Sequence, residues 1–377
     1  MKCQQAGVLV RAGACYLPYV DVWEAEADGT GGTNGDSSIS ADVASCDPMT
    51  VSHPTMGIYA GAPSFAGPFG GSEWEEASTW LGRPVVYGGD FLSGSIWHEL
   101  TNPMLAIERW ERWIRQGSNR RAVFHVALLP ESGNSSLAAG AQGDYSEHFG
   151  DLARQLATNN LGDSILRIGG VFNTGAHRYS AVGQPENYAA FFRNVVEAMR
   201  GGDEDSNFEF VWNPRVGESE MDSTKAYPGD EYVDYIGLDI FDRSEKYPYP
   251  TPCDESCRRE VQAEVWQEKL TGSTGTGGGH GQGLRFWSDF ARKHGKPLAI
   301  TDWGVIEEPG AGSGGDNPYF VEKMHEFIYA PKNRVAFHVV FTTTSPQKYY
   351  DVIGEDSMLP DSAAALKAHF GGEASCP

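Results

Sequence analysis

Positive charge is scarce in this chain: 29 lysines and arginines face 51 aspartates and glutamates, giving a formal net charge of −22 and a pI near 4.8. Such a field repels polyanions at long range, so neither nucleic acid nor an anionic membrane surface is expected as a partner. Long apolar runs are missing as well, with no stretch near the about 18 residues that a membrane span requires. Met1 to Val20 holds only a weak apolar segment, interrupted by Arg11, and does not read as a convincing signal peptide. Cysteine is limited to Cys3, Cys15, Cys46, Cys253, Cys257 and Cys376. The even count, placed outside the predicted strands, points to peripheral disulfide staples and a secreted protein. Cys253 and Cys257 lack a second Cys or His pair at ligand spacing, which leaves zinc a weak alternative; no metal and no cofactor is expected. The triplet Asn134-Ser-Ser fits a secreted surface loop.

What the chain does have is length and apolar content for one large core: 377 residues, 40% hydrophobic and 12% aromatic. Residues 21–55 are rich in Gly, Ser, Asp and Thr and read as an irregular leader. From Met56 short β-type runs alternate with helical patterns. The runs are Gly57-Ile-Tyr-Ala-Gly, Pro84-Val-Val-Tyr-Gly, Ala122 to Leu129, Ser164-Ile-Leu-Arg-Ile-Gly, Phe208-Glu-Phe-Val-Trp, Tyr235-Ile-Gly-Leu-Asp, Pro297-Leu-Ala-Ile-Thr and Val335 to Phe341. Helical spacing marks Met104 to Gln116, His148 to Asn159, Glu186 to Arg200, Leu284 to His294 and Tyr319 to Tyr329, with Pro103 and Pro318 at helix starts and Gly295 past a helix end. Eight strand-helix repeats predict an α/β protein, a single (β/α)8 TIM barrel over 56–377 after an irregular leader at 1–55 that disulfides could tie down. A doubly wound open sheet is the rival, and the count favours the barrel. Tyr247 to Gly283 reads as an elaboration of the sixth βα loop.

In a barrel, chemistry gathers at the carboxyl ends of the strands. There the sequence offers Asp90 with His98 and Glu99, Asn173 with His177 and Tyr179, Trp212 with Asn213, Asp239 with Asp242, Asp302 with Trp303, and the Thr342-Thr-Thr turn. Carboxylates beside indole and phenol faces suit glycosidic chemistry on a pyranose. The catalytic candidates are Asp302, Asp239, Asp90, Glu99 and His177. The substrate-binding candidates are Trp303, Asn173, Arg167, Arg178, Tyr179, Trp212, Asn213, Asp242, His98 and Tyr59. Asp239 and Asp242 could equally be loop caps, and Trp212 could be core. His125 and His338, inside strands, read as hydrogen-bonded core residues. Arg167, charged and within a strand, needs a buried partner such as Asp302 or Asp239, which it would hold ionised.

The stretches Leu166-Arg-Ile-Gly-Gly-Val-Phe-Asn, Phe210-Val-Trp-Asn-Pro, Tyr232 to Asp242, Lys296-Pro-Leu-Ala-Ile-Thr-Asp-Trp-Gly and Asp316-Asn-Pro-Tyr-Phe-Val, in this order, resemble glycoside hydrolase family 26 and its relatives. The resemblance runs from about Met56 to Phe370. It implies a barrel of the β-mannanase and endo-glycanase type, with a Glu after strand four as acid/base, a Glu after strand seven as nucleophile, and retention of configuration. Here Val171 stands where that acid would be, Gly170 replaces an aromatic, and Asp302 replaces the nucleophile Glu. The tail after Asn173 becomes Thr174-Gly-Ala-His-Arg-Tyr.

A retaining site needs its carboxyl groups about 5–5.5 Å apart, which a valine and a shortened acid do not provide. Three functions remain open. The first is cleavage of glycosidic bonds in a polysaccharide or oligosaccharide with a relocated acid. The second is β-elimination on a uronate-containing glycan, with Arg178 or Arg167 neutralising the carboxylate and His177 or Tyr179 moving the proton. The third is carbohydrate binding without turnover. A monomer is expected.

Overall fold

The computed structural model describes residues 9–11, 14–16, 53–61, 72–217, 219–272, 280, 282–308, 310, 312–343 and 349–372. Two units separate, residues 1–47 and 48–377. The first holds β1 (Leu9–Arg11) and β2 (Ala14–Tyr16), an antiparallel pair. The remainder of the predicted leader through residue 52 lies outside the described residues, as do Cys3, Cys46 and Cys376.

The second unit is a closed parallel barrel of β3 (Thr55–Tyr59), β4 (Tyr87–Leu92), β5 (Arg121–Val126), β6 (Ile165–Ile168), β7 (Glu209–Trp212), β8 (Tyr235–Phe241), β9 (Leu298–Gly304) and β10 (Val335–Phe341). All eight predicted strands are present, and β10 pairs with β3 to close the ring. Helices α1 (Ser72–Leu81), α2 (Trp97–Thr101), α3 (Met104–Arg115), α4 (Leu137–Ala141), α5 (Ser146–Thr158), α6 (Pro185–Gly202), α7 (Glu255–Thr271), α8 (Leu284–Lys293), α9 (Pro318–Tyr329) and α10 (Pro360–Phe370) lie along the connections.

The predicted helices form because their apolar residues recur on one face: α5 buries Phe149, Leu152, Ala153 and Leu156, spaced by three and four. Pro103 and Pro318 stand at helix starts, and Gly295, at φ 67°, follows the end of α8. The sixth βα connection contains a full helix, α7, where the sequence suggested a loop. Only Val265 and Trp266 are buried along it, so no apolar stripe announces it. Its signals are local instead: Asp254 accepts the Cys257 N–H at the start, and Gly272 ends it at φ 76°. Cys253 and Cys257 form a disulfide across that start, with Cα atoms 5.4 Å apart.

Strand alternation divides the core in two. Tyr59, Val123, Ile165, Val211, Ala299, Phe337 and Val339 fill the barrel interior, while the larger layer lies between barrel and helices. Gly88 belongs to the outer layer, where a Cβ would sit 2.3 Å from the Trp110 ring, so only glycine lets α3 approach β4 this closely.

Candidate active site

One arginine organises the carboxyl end of the barrel. Arg167 on β6 is 3% exposed and spends its guanidinium on three neighbours. Nε donates to Asn213 Oδ1 at 3.0 Å, Nη1 to Asp302 Oδ2 at 2.6 Å, and Nη2 to both oxygens of Asp239 at 2.9 and 3.0 Å. Both carboxylate partners expected from the sequence are therefore real. Asp239 also accepts from Asn213 Nδ2 at 3.1 Å and from the Thr301 hydroxyl at 2.9 Å. Four bonds from Arg167, Asn213 and Thr301 hold Asp239, three of them on Oδ1; Asp302 receives a donor only from Arg167 among the described residues.

A bulge brings the two ends of this network together. Leu238 pairs with Ile300, but Asp239 pairs with Asp302, so β9 carries one extra residue there. Consecutive residues Thr301 and Asp302 thus reach the same polar cluster, whereas regular alternation would send one of them outward. Sequence reasoning missed Thr301 for this reason. Burial pushes the Asp302 carboxyl up from its ordinary value, and the Asp239 charge adds to that push; the Arg167 guanidinium opposes both but does not prevail. Arg167 thus pulls Asp302 toward its ionised form, as the sequence led one to expect, while burial pulls the other way.

The turn after β6 is strained. Val171 has φ 59°, a left-handed conformation that a β-branched residue rarely adopts. It is over-determined on both sides. The Val171 N–H donates to the Asn213 carbonyl at 2.8 Å, and the next residue, Phe172, is fully buried against Tyr188 and Trp212. Further along this loop the His177 ring stacks on Tyr179 at 4.9 Å and 3°, and the Tyr179 hydroxyl meets His125 Nε2 at 3.2 Å. His177 is exposed, and partial desolvation lowers its basicity against the raising effect of Asp239.

Several sequence candidates lie elsewhere. Asp90 points to the helix layer, with Oδ2 accepting Trp110 Nε1 at 2.7 Å; burial raises its pKa to about 6. It sits two residues from Gly88 on the same outward face, so it is a buried anchor for α3 rather than a mouth acid. Glu99 and His98 are exposed on α2, where Glu99 accepts the Ser95 N–H at 2.7 Å as a local cap. Trp212 and Trp303, 0% and 1% exposed, also face the helices. Trp212 packs on Tyr227, Trp287 and Phe290, and Trp303 on Phe370 while donating to His338 Nδ1 at 3.1 Å. Neither has an open ring for a sugar.

Asn173 is fully buried, donating to the Arg215 carbonyl and the Ser223 hydroxyl and accepting the Arg215 N–H; it ties two loops together. Asp242, 1% exposed, accepts from Tyr247 at 3.0 Å and Asn317 at 2.7 Å and pins the sixth loop to α9. Arg178 gives its guanidinium to the carbonyls of Pro130, Ser132, Gly133 and Ser135, so it is not available to a uronate. His125 and His338 are buried and hydrogen-bonded, as expected. Tyr59 joins Phe91 and Phe341 in an aromatic floor at ring distances of 5.0 and 4.6 Å, and Phe241 and Tyr350 continue it. The sequence singles out none of the other four rings of this floor, of which Phe91 and Phe341 touch Tyr59.

Among the described residues no group of three or more His, Cys, Asp or Glu side chains could hold a metal ion, and no helix is long and apolar enough to cross a membrane.

The class of protein defined by this geometry is a (β/α)8 barrel with a charged polar network at its carboxyl-end mouth. The sequence profile of glycosyl hydrolase family 26 matches residues 168–250, from the last residue of β6 through β7 and β8. No curated protein matches the sequence. Among solved structures, a modular endo-β-1,4-mannanase of family 26 from Cellulomonas fimi superposes with a TM-score of 0.59 at 18% identity, covering 83% of this chain and 70% of that one. The catalytic domain of the family 26 endo-β-1,4-mannanase from Bacillus sp. JAMB-750 gives 0.57 at 14% identity, covering 84% and 86%. At such identities the likeness establishes the shared barrel fold.

Proposed function

We propose that this barrel hydrolyses glycosidic bonds in a polysaccharide, with Asp302 as the carboxyl group that acts on the sugar. The observation that carries this reading is the contrast in donors: Asp239 takes four bonds from three residues, whereas among the described residues Asp302 has one donor, on Oδ2, and none on Oδ1. Asp302 is short and 3% exposed, recessed from the mouth. That setting favours activation of a water between carboxylate and sugar, hence inversion, over direct attack on the anomeric carbon. β-1,4-Mannan is the first substrate to test, because the structural relatives described above are mannanases. Secretion fits the Cys253–Cys257 bridge.

The test is a screen of purified protein against neutral and uronic-acid polysaccharides, following reducing ends and ultraviolet absorbance together. Reducing ends without an unsaturated chromophore, lost in Asp302→Asn, are the expected result. A rising chromophore would overturn hydrolysis in favour of elimination, a reading weakened by the commitment of Arg178 to four backbone carbonyls. A second reading, glycan binding without turnover, draws on Val171, which cannot donate a proton. Silence in both channels together with measurable glycan affinity would establish it.

A further inference from the structure

We propose that His177 is the proton donor of this mouth, an assignment that rests on the hydrolase reading above. A hydrolase that attacks an unactivated glycoside must protonate the leaving oxygen, and the residue after β6 where the resemblance expects a donor is a valine. Three nearby carboxylates are otherwise engaged. Asp239 is held by Arg167, Asn213 and Thr301, Asp242 by Tyr247 and Asn317, and Asp90 faces Trp110 behind the sheet. The fourth, Glu220, is exposed and accepts the Gly175 N–H at 2.7 Å on one oxygen, which braces the loop on which His177 lies and leaves Glu220 the rival donor.

His177 stands out by contrast. Its imidazole is exposed, and no hydrogen bond ties it to any described residue. It lies flat on Tyr179, whose hydroxyl is fixed by His125, and these two supports are 5% and 6% exposed. An exposed proton carrier on a buried platform is pre-positioned without being neutralised. The charged groups that bear on it are few. Asp239 favours its cationic form and His125 is a neutral neighbour below Tyr179. Arg167 is paired with its two carboxylates, and Arg178 is clamped to backbone carbonyls. β6 and β9 stand three places apart on the eight-strand ring, so His177 and Asp302 come to the mouth from different strands.

The step balances as an inverting hydrolysis. The His177 imidazolium gives its proton to the glycosidic oxygen as the bond from that oxygen to the anomeric carbon breaks. A water forms the new bond to that carbon and loses its proton to the Asp302 carboxylate. The neutral imidazole and the carboxylic acid then return to their starting forms by exchanging one proton through solvent.

Leaving-group dependence tests the assignment. Dinitrophenolate leaves without protonation, so His177→Gln is compared on the polysaccharide found by the screen and on the dinitrophenyl glycoside of its disaccharide unit. A fall in kcat of about a hundredfold or more on the polysaccharide is expected, with a change of less than about threefold on the aryl glycoside. The alkaline limb of the pH profile on the polysaccharide should disappear with it. Equal losses on both substrates would reduce His177 to a packing residue and overturn the proposal, as would this same leaving-group signature appearing in Glu220→Gln instead. Turnover by the unmutated protein that is unaffected by His177→Gln removes this assignment alone, whereas silence of the unmutated protein on both substrates removes the hydrolase reading and the assignment together.

Discussion

The ends of β6 and β9 face the same mouth and have come to opposite arrangements. After β6 the backbone is unusual and the side chain inert: Val171 holds φ 59° and offers only a branched alkyl group. After β9 the side chain is reactive, and a bulge in the backbone delivers it: Asp302 reaches Arg167 because one extra residue resets the register. The comparison teaches that the scaffold of a barrel mouth and its chemistry are specified separately. At Val171 the turn persists because Asn213 and the buried Phe172 impose it, whatever the side chain between them does.

Removing Arg167 attacks the β9 side of the comparison most directly. Arg167→Met leaves Asp239 and Asp302 buried beside each other without their cation, and should cost about 3–5 kcal/mol in denaturant unfolding. Adding Asp302→Asn in the same chain should recover part of that loss by removing one of the two acids. Full additivity of the two substitutions would mean that they do not share a network.

Trp303, next to Asp302 in sequence, separates packing from chemistry on the same strand. Its ring is 1% exposed against Phe370 and His338. Trp303→Ala should therefore cost about 3 kcal/mol or more in stability through the cavity it opens. A variant with unchanged thermal stability and weakened glycan affinity would restore the tryptophan to the mouth.

Much of this could be read from the chain. The eight strands were legible because β-branched runs alternate with 3.6-residue periodicity, and the strand count then selects a closed ring. The pairing of Arg167 with Asp239 and Asp302 was legible because a strand arginine cannot stay buried alone. What was not legible is facing. Asp90 and Trp212 sit at strand ends, yet alternation turns both toward the helices, and the β9 bulge does the same for Trp303; the parity of the first two was available from Gly88 and Val211 but needs a known register. At β9 even parity fails, since the bulge between Ile300 and Asp302 has no sequence signature. Helix α7 escaped for a different reason: its charges surround it, so local caps rather than periodicity define it.

Acid on the two faces of the sheet gives a pH test. Asp90 titrates near 6 in the folded protein against an ordinary value of 3.8, chiefly through burial. The folded state therefore holds a proton that the unfolded chain has lost between those values. Stability from this group is fully present below about pH 4 and is lost as pH rises through about 6, by on the order of 2–3 kcal/mol. Asp302, shifted the same way, adds to the slope. Asp90→Asn retains an acceptor for Trp110 and should flatten the decline measured by denaturant midpoints between pH 4 and 7. An unchanged slope would place the proton uptake elsewhere.

The smallest effect returns to Val171. A β-branched residue in the left-handed region costs about 1–3 kcal/mol, and glycine removes that cost while adding back about 1 kcal/mol of chain entropy. The balance is a gain of up to about 2 kcal/mol, and the lost contacts of an apolar, half-buried side chain reduce the gain expected of Val171→Gly to about 1 kcal/mol. Such a gain, read as a raised denaturant midpoint with an unchanged slope, would mean that the turn is imposed by Asn213 and Phe172 and merely tolerated by valine. A loss of similar size would mean instead that the valine packs well enough to offset its backbone, and the turn would then depend on the side chain it carries. Activity discriminates further. If Val171 has no part in proton transfer, Val171→Gly leaves the pH profile of turnover where it was, in contrast to the loss of one limb expected for His177→Gln.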